Sequence, residues 1–287
     1  MGDESTALRR VLRQAGGPEI LEVLAGRLSG ADLTTLLLEV MRVRAGGLAP
    51  ADVLRRYTSD RFVGASVVPF ERLRRAEDAV LSVVPAGFEV VTLSPVAPLG
   101  AHSALATVDQ NKVITTIRNT EVAADPTNAL ALEAAVRRRG SAGPVRLAAF
   151  QRVVRAQHFA GAGAYAHFGL FALVSADRDT GSLAFERRHL AEHLSLLTDA
   201  LRACGIADPE VRVTVLDPRF APVTEGLDAT DDPERESGRG YYSGLCFKIY
   251  ADGVELGDGG FVDWTARLLG NRKERLLISA LGMDRLS

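Results

Sequence analysis

The sequence has little of several residue types on which particular functions depend. Its two cysteines, Cys204 and Cys246, lie far apart and have no CxxC or metal-ligand companion, so we expect two free thiols rather than a disulfide framework or a zinc site. No apolar run approaches the roughly 18 residues that a transmembrane helix needs, and no charged-then-apolar leader follows Met1. We therefore predict a cytoplasmic protein with no membrane partner.

A strong charge of one sign is also missing. The 287 residues include 34 basic and 36 acidic side chains, which gives a formal net charge of -2. Because nucleic-acid binding draws on clustered Lys and Arg, the bulk charge provides no attraction for RNA. The chain is 47% hydrophobic and 24% charged, the composition of a globular protein with one large domain and at most a small appendage.

Residues 1–58 are predicted to be helical. Short amphipathic segments are separated by glycine pairs such as Gly16-Gly17 and Gly46-Gly47. Nothing in these segments carries chemistry. We interpret them as a small N-terminal helical extension that serves packing or oligomerisation, or alternatively docks a partner, ahead of one large domain over residues 59–287.

Beyond the extension, helices and strands alternate. Residues 69–83 have apolar side chains at helical spacing, and residues 87–100 form a predicted strand closed by Pro95 and Pro98. Residues 113–117 are a β-branched run suited to a buried strand.

A second helix is predicted over residues 127–139, with Asp125 or Thr127 as its cap. Residues 145–176 are typical of two antiparallel strands joined by a loop, and a helix and a further strand follow over residues 185–217.

Two histidines on the helix in the middle of the chain raise the question of a metal. His189 and His193 stand at i and i+4, with Glu192 between them, so both imidazoles fall on one helix face. No HExxH order is present. We therefore predict a solvated helix face and no metal site. The acidic stretch 225–240 is interpreted as a solvated loop, or alternatively as a lid.

The last part of the chain is the most distinctive. A Tyr-Tyr-Ser-Gly entry at residues 241–244 leads into a predicted strand over residues 245–250. The Gly-Asp-Gly-Gly segment at 257–260 predicts a turn. The small-residue segment Ile-Ser-Ala-Leu-Gly-Met at 278–283 then leads to Arg285.

This order of segments resembles the catalytic core of class II aminoacyl-tRNA synthetases of the histidyl type. The matches, in chain order, are the motif 1-like helix and strand at 69–100, Asp125-Pro126-Thr127, the motif 2-like strands at 145–176, Tyr241 to Gly244, Gly259-Gly260 with Asp263, and the motif 3-like Gly282 with Arg285. The resemblance implies an α+β fold, a mostly antiparallel sheet flanked by helices, and a homodimer formed through the motif 1 region.

The resemblance also implies an ATP site with Mg²⁺. Arg155 falls where the family keeps the arginine for the α-phosphate and the substrate carboxylate, and Gln157 where a glutamate follows it. Phe168 matches the aromatic residue that stacks on adenine, and Arg285 the ATP arginine of motif 3. A planar guanidinium and a flat ring are what nucleotide binding needs.

The substrate residues follow from the same matches. Asp125 and Thr127 match the acidic group and the hydroxyl that hold the substrate's α-ammonium, and Tyr241 with Tyr242 match the family's tyrosine pair. The family's catalytic arginine aligns with Ser237, and Arg239 or Arg235 is available to reach the same space.

Some positions depart from the family. The motif 2 loop at 159–166 is neutral where the family has a basic loop, which removes phosphate contacts worth about 1.5–3 kcal/mol each. The family's glutamine and glutamate for the imidazole align with Leu170 and Val174, so histidine is not the expected substrate. The chain ends directly after motif 3, with no room for an anticodon-binding domain, and tRNA is not an expected partner.

Three functions remain open. The first is a stand-alone paralogue that activates an amino acid or related carboxylate as its adenylate, with catalytic roles for Arg155, Arg285 and Arg239. The second is a non-catalytic regulatory or ligand-binding subunit with a protein partner, like the regulatory subunit of ATP phosphoribosyltransferase. The third is an RNA-binding remnant, which the charge balance disfavours.

Overall fold

The structure, a computed structural model, describes residues 6–141, 143–157 and 166–286. The chain divides into two compact units, residues 1–60 with 115–120, and residues 61–114 with 121–287. The described helices of the first unit are α1 (Thr6–Gln14), α2 (Glu19–Glu22), which continues into a π-helical turn over Val23–Arg27, α3 (Gly30–Gly46) and α4 (Pro50–Ser59).

Local hydrogen bonds set the start of α3. The Ser29 hydroxyl accepts from the Asp32 amide at 3.1 Å and thereby caps the helix. Asn119 donates to the Gly30 carbonyl at 3.2 Å. This bond joins residue 119 to the start of α3 within the first unit.

The second unit contains the remaining α-helices and the described strands, apart from Thr120, the first residue of one strand, which falls in the first unit. The helices are α5 (Phe70–Ser82), α6 (Pro126–Gly140), α7 (Ala184–Ala203) and α8 (Trp264–Leu269). The strands are β1 (Glu89–Val90), β2 (Val96–Pro98), β3 (Thr120–Val122), β4 (Val145–Val154), β5 (His167–Arg178), β6 (Glu210–Val215), β7 (Thr230–Asp231), β8 (Ser243–Ala251), β9 (Val254–Val262) and β10 (Glu274–Gly282). In this described part of the chain, no helix is long and apolar enough to cross a membrane.

Eight of these strands form one sheet in the order β1-β4-β5-β10-β9-β8-β6-β7, and β2 pairs with β3 separately. The two outermost pairs, β1 with β4 and β6 with β7, are parallel, whereas every pairing between them is antiparallel. The prediction of an α+β fold built on a mostly antiparallel sheet with flanking helices is confirmed.

Both faces of the sheet are covered, which explains why β5 is apolar almost throughout. Alternate side chains of a strand point to opposite faces. Phe171 and Leu173 pack with α5 and α7, whereas Ala172, Val174 and Ala176 pack with α6. The apolar run of β5 therefore serves two cores, one on each side of the sheet.

The Gly-Asp-Gly-Gly segment is not a turn, and that prediction was wrong. Residues 257–260 lie inside β9, and the chain reverses earlier, at Asp252-Gly253. The glycines are there for close packing. A Cβ on Gly257 would lie 2.6 Å from Leu281 Cδ2, and one on Gly259 would lie 2.5 Å from Phe247 Cζ.

The predicted strand at 113–117 is reduced to a single bridged residue, Thr115. The Val122 amide donates to the Ile114 carbonyl and the Thr116 amide to the Thr120 carbonyl, which is antiparallel pairing over one residue. These bonds close a tight loop around Asn119, which has a positive φ of 54°. The β-branched side chains favoured a strand, and the turn at Asn119 limits the pairing to one residue.

His189 and His193 are buried on α7, so the predicted solvated face is wrong. Their exposed fractions are 1% and 0%. His193 lies between two hydroxyls, with Nε2 3.0 Å from Ser175 Oγ and Nδ1 2.8 Å from Ser279 Oγ. No group of three or more metal-binding side chains occurs within the described ranges.

Acidification should destabilise the fold through His193. Burial lowers the pKa of His193 well below its usual value of 6.5. Below about pH 6.5 the unfolded chain therefore binds more protons than the folded chain, and the free energy of unfolding falls as the pH falls. Urea unfolding between about pH 7.5 and about pH 5.5 should show this fall, and His193→Gln should reduce it. An equal pH dependence in both proteins would contradict this assignment.

Candidate functional site

A cleft of about 800 Å³ opens at the amino-terminal end of α6, within the size range of small-molecule sites. Its walls come from the segments before α6, the adjoining ends of β4 and β5, residues 237–242, β9 and the end of β10. All the residues predicted to form the site line it, namely Asp125, Thr127, Arg155, Gln157, Phe168, Arg239, Tyr241, Tyr242 and Arg285. Their roles stay predictions.

Asp125 begins α6 and caps it. Its Oδ1 accepts from the Thr127 amide at 2.9 Å and from the Thr127 hydroxyl at 2.7 Å. The carboxylate remains partly exposed beside the cleft, with 25% of its side chain accessible. Capping therefore places an acidic group and a hydroxyl together in the wall of the cleft, where a ligand amine would find acceptors.

Arg155 lies directly beside this cap. Its Nε donates to the Ala124 carbonyl at 2.9 Å, and its Nη2 lies 3.3 Å from Asp125 Oδ2. The guanidinium carbon is 5.1 Å from the centre of the Phe168 ring. The predicted phosphate arginine, amine-binding acid and adenine-stacking ring thus form one contiguous cluster, in which the arginine already has protein partners.

The other two candidate arginines are also occupied. Arg239 donates from Nε to the Arg235 carbonyl at 2.8 Å and from Nη2 to the Pro233 carbonyl at 2.9 Å. Arg285 donates to the Glu255 carbonyl. Backbone carbonyls are neutral acceptors, so these arginines keep their charge available to an anionic ligand.

The neutral loop that distinguishes the motif 2-like hairpin falls outside the described residues except for its last residue, Ala166, and His158 before it is also outside them. The two strands that it joins are described and pair in register from Val154 with His167 to Val145 with Ala176. The predicted antiparallel hairpin is therefore present, with Arg155 directly after its first strand.

A buried histidine-carboxylate pair that the sequence analysis missed holds the start of α6. Glu121 is fully buried and accepts from the Gly100 amide at 3.0 Å, the His102 amide at 2.9 Å and the Gln110 side chain at 2.7 Å. His102 Nδ1 lies 2.6 Å from Glu121 Oε1. These donors lower the pKa of Glu121 against the opposing effect of burial.

The other ring nitrogen of His102 completes this arrangement. Its Nε2 is 3.0 Å from the Ala124 amide and 3.2 Å from the Asp125 amide. Both amides donate, so Nε2 accepts and the proton of a neutral ring sits on Nδ1, facing Glu121. The histidine thus positions the residue that caps α6. In the sequence, His102 lies apart from the other motifs and belongs to no local pattern, so no signal identified it as part of the site.

Tyr241 and Tyr242 form the enclosed end of the cleft. Their rings meet edge to face with centres 4.8 Å apart, and Tyr241 also meets Trp264 at 5.7 Å. Burial raises the pKa of both phenols far above the usual value, and the charge of Asp125 adds to the effect on Tyr241. Both tyrosines are therefore neutral hydrogen-bonding groups. Gly260 makes room for them, because a Cβ there would lie 2.7 Å from Tyr242 Cδ1.

Asp258 is a further residue that the sequence analysis missed. It lines the cleft from β9, and its Oδ1 lies 2.9 Å from Arg235 Nη2. Burial raises the pKa of Asp258, and the positive charge of Arg235 opposes that rise. Arg235 itself is only 6% exposed, and it is the exception in the stretch 225–240, most of whose residues are exposed and irregular, as the solvated-loop prediction expected.

The charged lining of the cleft is nearly balanced. The basic side chains that line it in the described part of the chain are Lys112, Arg155, Arg239 and Arg285, and the acidic ones are Asp109, Asp125, Glu255, Asp258 and Asp284. Such a lining suits a ligand with both an anionic and a cationic group better than a simple anion.

Comparisons with known proteins identify the fold. No protein-family model and no curated protein matches the chain. Similar solved structures include an ATP phosphoribosyltransferase regulatory subunit/histidyl-tRNA synthetase from Bacillus halodurans (TM-score 0.62, 14% identity, 78% of this chain and 81% of that chain). Others are the histidyl-tRNA synthetase of S. aureus (0.57, 14%, 77% and 67%) and the pyrrolysyl-tRNA synthetase of Desulfitobacterium hafniense (0.55, 15%, 81% and 72%). The chain has the class II aminoacyl-tRNA synthetase-like core fold.

Glu121→Gln should weaken the fold around the cleft. The amide would present a donor to groups that already donate, and it would remove the charge that they surround. We expect a loss of about 2–4 kcal/mol in the free energy of unfolding, measured by urea denaturation. Glu71→Gln, at an exposed carboxylate on α5, is the matched control and should change little. Equal small effects in both variants would show that the Glu121 hydrogen bonds contribute no stability.

Proposed function

We propose that the cleft binds a small carboxylate that also carries an amine, and activates it with ATP as its adenylate. The observation that supports this is the convergence of two opposite sets of groups in one cleft. Arg155, Arg285 and Phe168 supply what a nucleotide needs, and Asp125 with Thr127 supplies what an ammonium group needs.

In this proposal the chemistry is an in-line displacement. A substrate carboxylate oxygen attacks the α-phosphorus of ATP, the acyl-phosphate bond forms, and the bond to the bridging oxygen breaks to release pyrophosphate. The carboxylate is already ionised, so no general base is required. Arg155 and Arg285 would stabilise the charge that develops at the α-phosphate, with Arg239 as a third contributor.

Mg²⁺ belongs to the proposal as a companion of ATP. Within the described ranges no three His, Cys, Asp or Glu side chains are grouped to hold a metal by themselves. Magnesium at nucleotide sites is commonly held by one or two carboxylates plus the phosphates. Gln157, which lines the cleft, is a neutral contributor to binding of the nucleotide.

A regulatory or ligand-sensing subunit is the second candidate, and one observation favours it. Arg155 is engaged by Asp125 and the Ala124 carbonyl, while Arg239 and Arg285 donate to backbone carbonyls. Arginines that already have protein partners gain less from contacts with the phosphates of ATP. Such a cleft suits a receptor that binds a small amino acid without activating it. Such a receptor would act through a protein partner rather than through catalysis.

The predicted homodimer forms part of the proposal. Side chains around the motif 1-like segment are apolar and exposed, namely Val67, Phe70, Leu81, Val90, Val96 and Leu99. The short strand β1 is one of the two edge strands of the sheet. Exposed apolar side chains beside an open sheet edge are typical of an interface.

ATP-pyrophosphate exchange tests the activation. We expect exchange with one member of a panel of amino acids and related carboxylates, and a fall of about 10- to 150-fold in Arg155→Ala, because a hydrogen bond from a charged group is worth about 1.5–3 kcal/mol. Arg202→Ala, at an exposed arginine on α7 that pairs with Asp199, is the control and should exchange normally.

Absence of exchange with every compound, in a protein shown to be folded, would overturn the activation. If amino acids then raised the melting temperature while ATP with Mg²⁺ did not, the second candidate would replace the first.

Val90→Lys should weaken the proposed dimer. The substitution places a charge at a side chain that is 42% exposed on the sheet edge, where pairing with another copy would bury it. Light scattering over a range of concentrations should show a shift towards monomer. Val254→Lys, at a side chain that is 50% exposed at the start of β9, should leave the mass unchanged. A dimer that persists in Val90→Lys would move the interface elsewhere.

A further inference from the structure

We propose that Asp258, held by Arg235, selects a substrate whose side chain ends in a nitrogen hydrogen-bond donor, such as an amine or a carboxamide. The inference rests on the proposed function, because it concerns the side chain of the amino acid that the cleft would take. It assigns a role to a carboxylate that the family resemblance leaves without one.

Asp258 is flanked in β9 by three glycines, at positions 257, 259 and 260, which have no side chains to share the cleft wall with it. Alternate residues of a strand face opposite ways, and the missing side chains of Gly257 and Gly259 face Leu281 and Phe247 on the α7 side. Gly260 faces the same way as Asp258, and Tyr242 fills the space that its side chain would take. From residue 257 to residue 260, Asp258 is therefore the sole side chain that β9 presents to the cleft.

Arg235 fixes the carboxylate from behind. Its Nε donates to the Ser237 carbonyl at 2.7 Å and its Nη2 to Asp258 Oδ1 at 2.9 Å. The Arg235 side chain is only 3% exposed, whereas that of Asp258 is 37% exposed. A ligand in the cleft therefore meets the acceptor and not the cation, and the second carboxylate oxygen is available to it.

The unpaired guanidinium nitrogen of Arg235 strengthens this orientation. Its Nη1 is buried without a hydrogen-bond partner among the described residues. Losing Nη2 from Asp258 as well would leave more of the buried cation unpaired, which is costly. The contact with Arg235 therefore holds the Asp258 carboxylate in place as a hydrogen-bond acceptor, which a donor satisfies and an apolar group does not.

Asp125 and Asp258 are separate carboxylates in the lining of one cleft, and Tyr241 lines the same cleft. A ligand with its α-ammonium at Asp125 would extend its side chain past Tyr241 towards Asp258. An apolar side chain in that position would desolvate the carboxylate and return no hydrogen bond, so such ligands are rejected.

Binding of matched ligand pairs to the full chain, without ATP, tests the assignment. Each pair has the same length and differs in its terminal donor: L-ornithine with L-norleucine, L-lysine with L-2-aminoheptanoic acid, and L-glutamine with L-methionine. For at least one pair we expect the donor-bearing member to bind about 10- to 100-fold tighter by calorimetry. Asp258→Asn should reduce that ratio about tenfold. Asp263→Asn, at the exposed carboxylate that follows β9, should preserve it.

A second variant guards against loss of folding. The double substitution Arg235→Met with Asp258→Leu removes both members of the buried pair, a change that proteins often tolerate. It should reverse the preference towards the apolar member. The proposal is overturned if the wild type binds no donor-bearing ligand, prefers an apolar member, or keeps its ratio in Asp258→Asn.

Failure of the proposed activation gives a different pattern. A donor preference that depends on Asp258, with no pyrophosphate exchange, would leave this inference standing and remove adenylate formation. Exchange at equal rates with both members of every pair would support adenylate formation and overturn the role assigned to Asp258.

Discussion

The carboxylate of Glu121 lies inside the protein and gathers donors from Gly100, Gln110 and both the backbone and the ring of His102. The opposite ring nitrogen of His102 then accepts the amides of Ala124 and Asp125. A buried charge of this kind is tolerated only while its donors stay in place. The start of α6, and with it the acidic wall of the cleft, is therefore fixed by hydrogen bonds made before any ligand arrives.

The sequence predicted the sheet, its flanking helices and a set of residues that meet in one cleft. Long periodic segments and the order of motifs can be recognised without knowledge of the tertiary contacts. The sequence-based predictions were wrong where tertiary packing determines the conformation or the burial of a residue. Gly257 and Gly259 predicted a turn, whereas the absence of a Cβ serves close approach between strands. His189 and His193 have polar side chains, yet the buried face of α7 holds both. Such outcomes depend on partners that are distant along the chain.

The same limit explains the two missed parts of the site. His102 and Glu121 are separated by a loop whose folding alone brings them together, and Arg235 meets Asp258 across 23 residues. In each pair one member would be costly to bury without the other. Pairing of this kind has no periodicity, so neither propensity nor a local motif reveals it.

The hydrogen bonds that the cleft arginines make within the protein bear on whether the cleft serves catalysis or ligand sensing. A phosphate that binds Arg155 must compensate for weakened contacts to Asp125 and Ala124, so the net gain is the difference between two sets of hydrogen bonds. A zwitterionic amino acid that bonds to Asp125 and Arg155 together satisfies both groups at once. Its arrival would leave Arg285, whose acceptor is a neutral carbonyl, as the arginine with most to offer to a phosphate. Under the proposed function, amino-acid binding would therefore be the step that prepares the cleft for ATP. An amino-acid receptor would differ from an activating enzyme only in whether that second step followed.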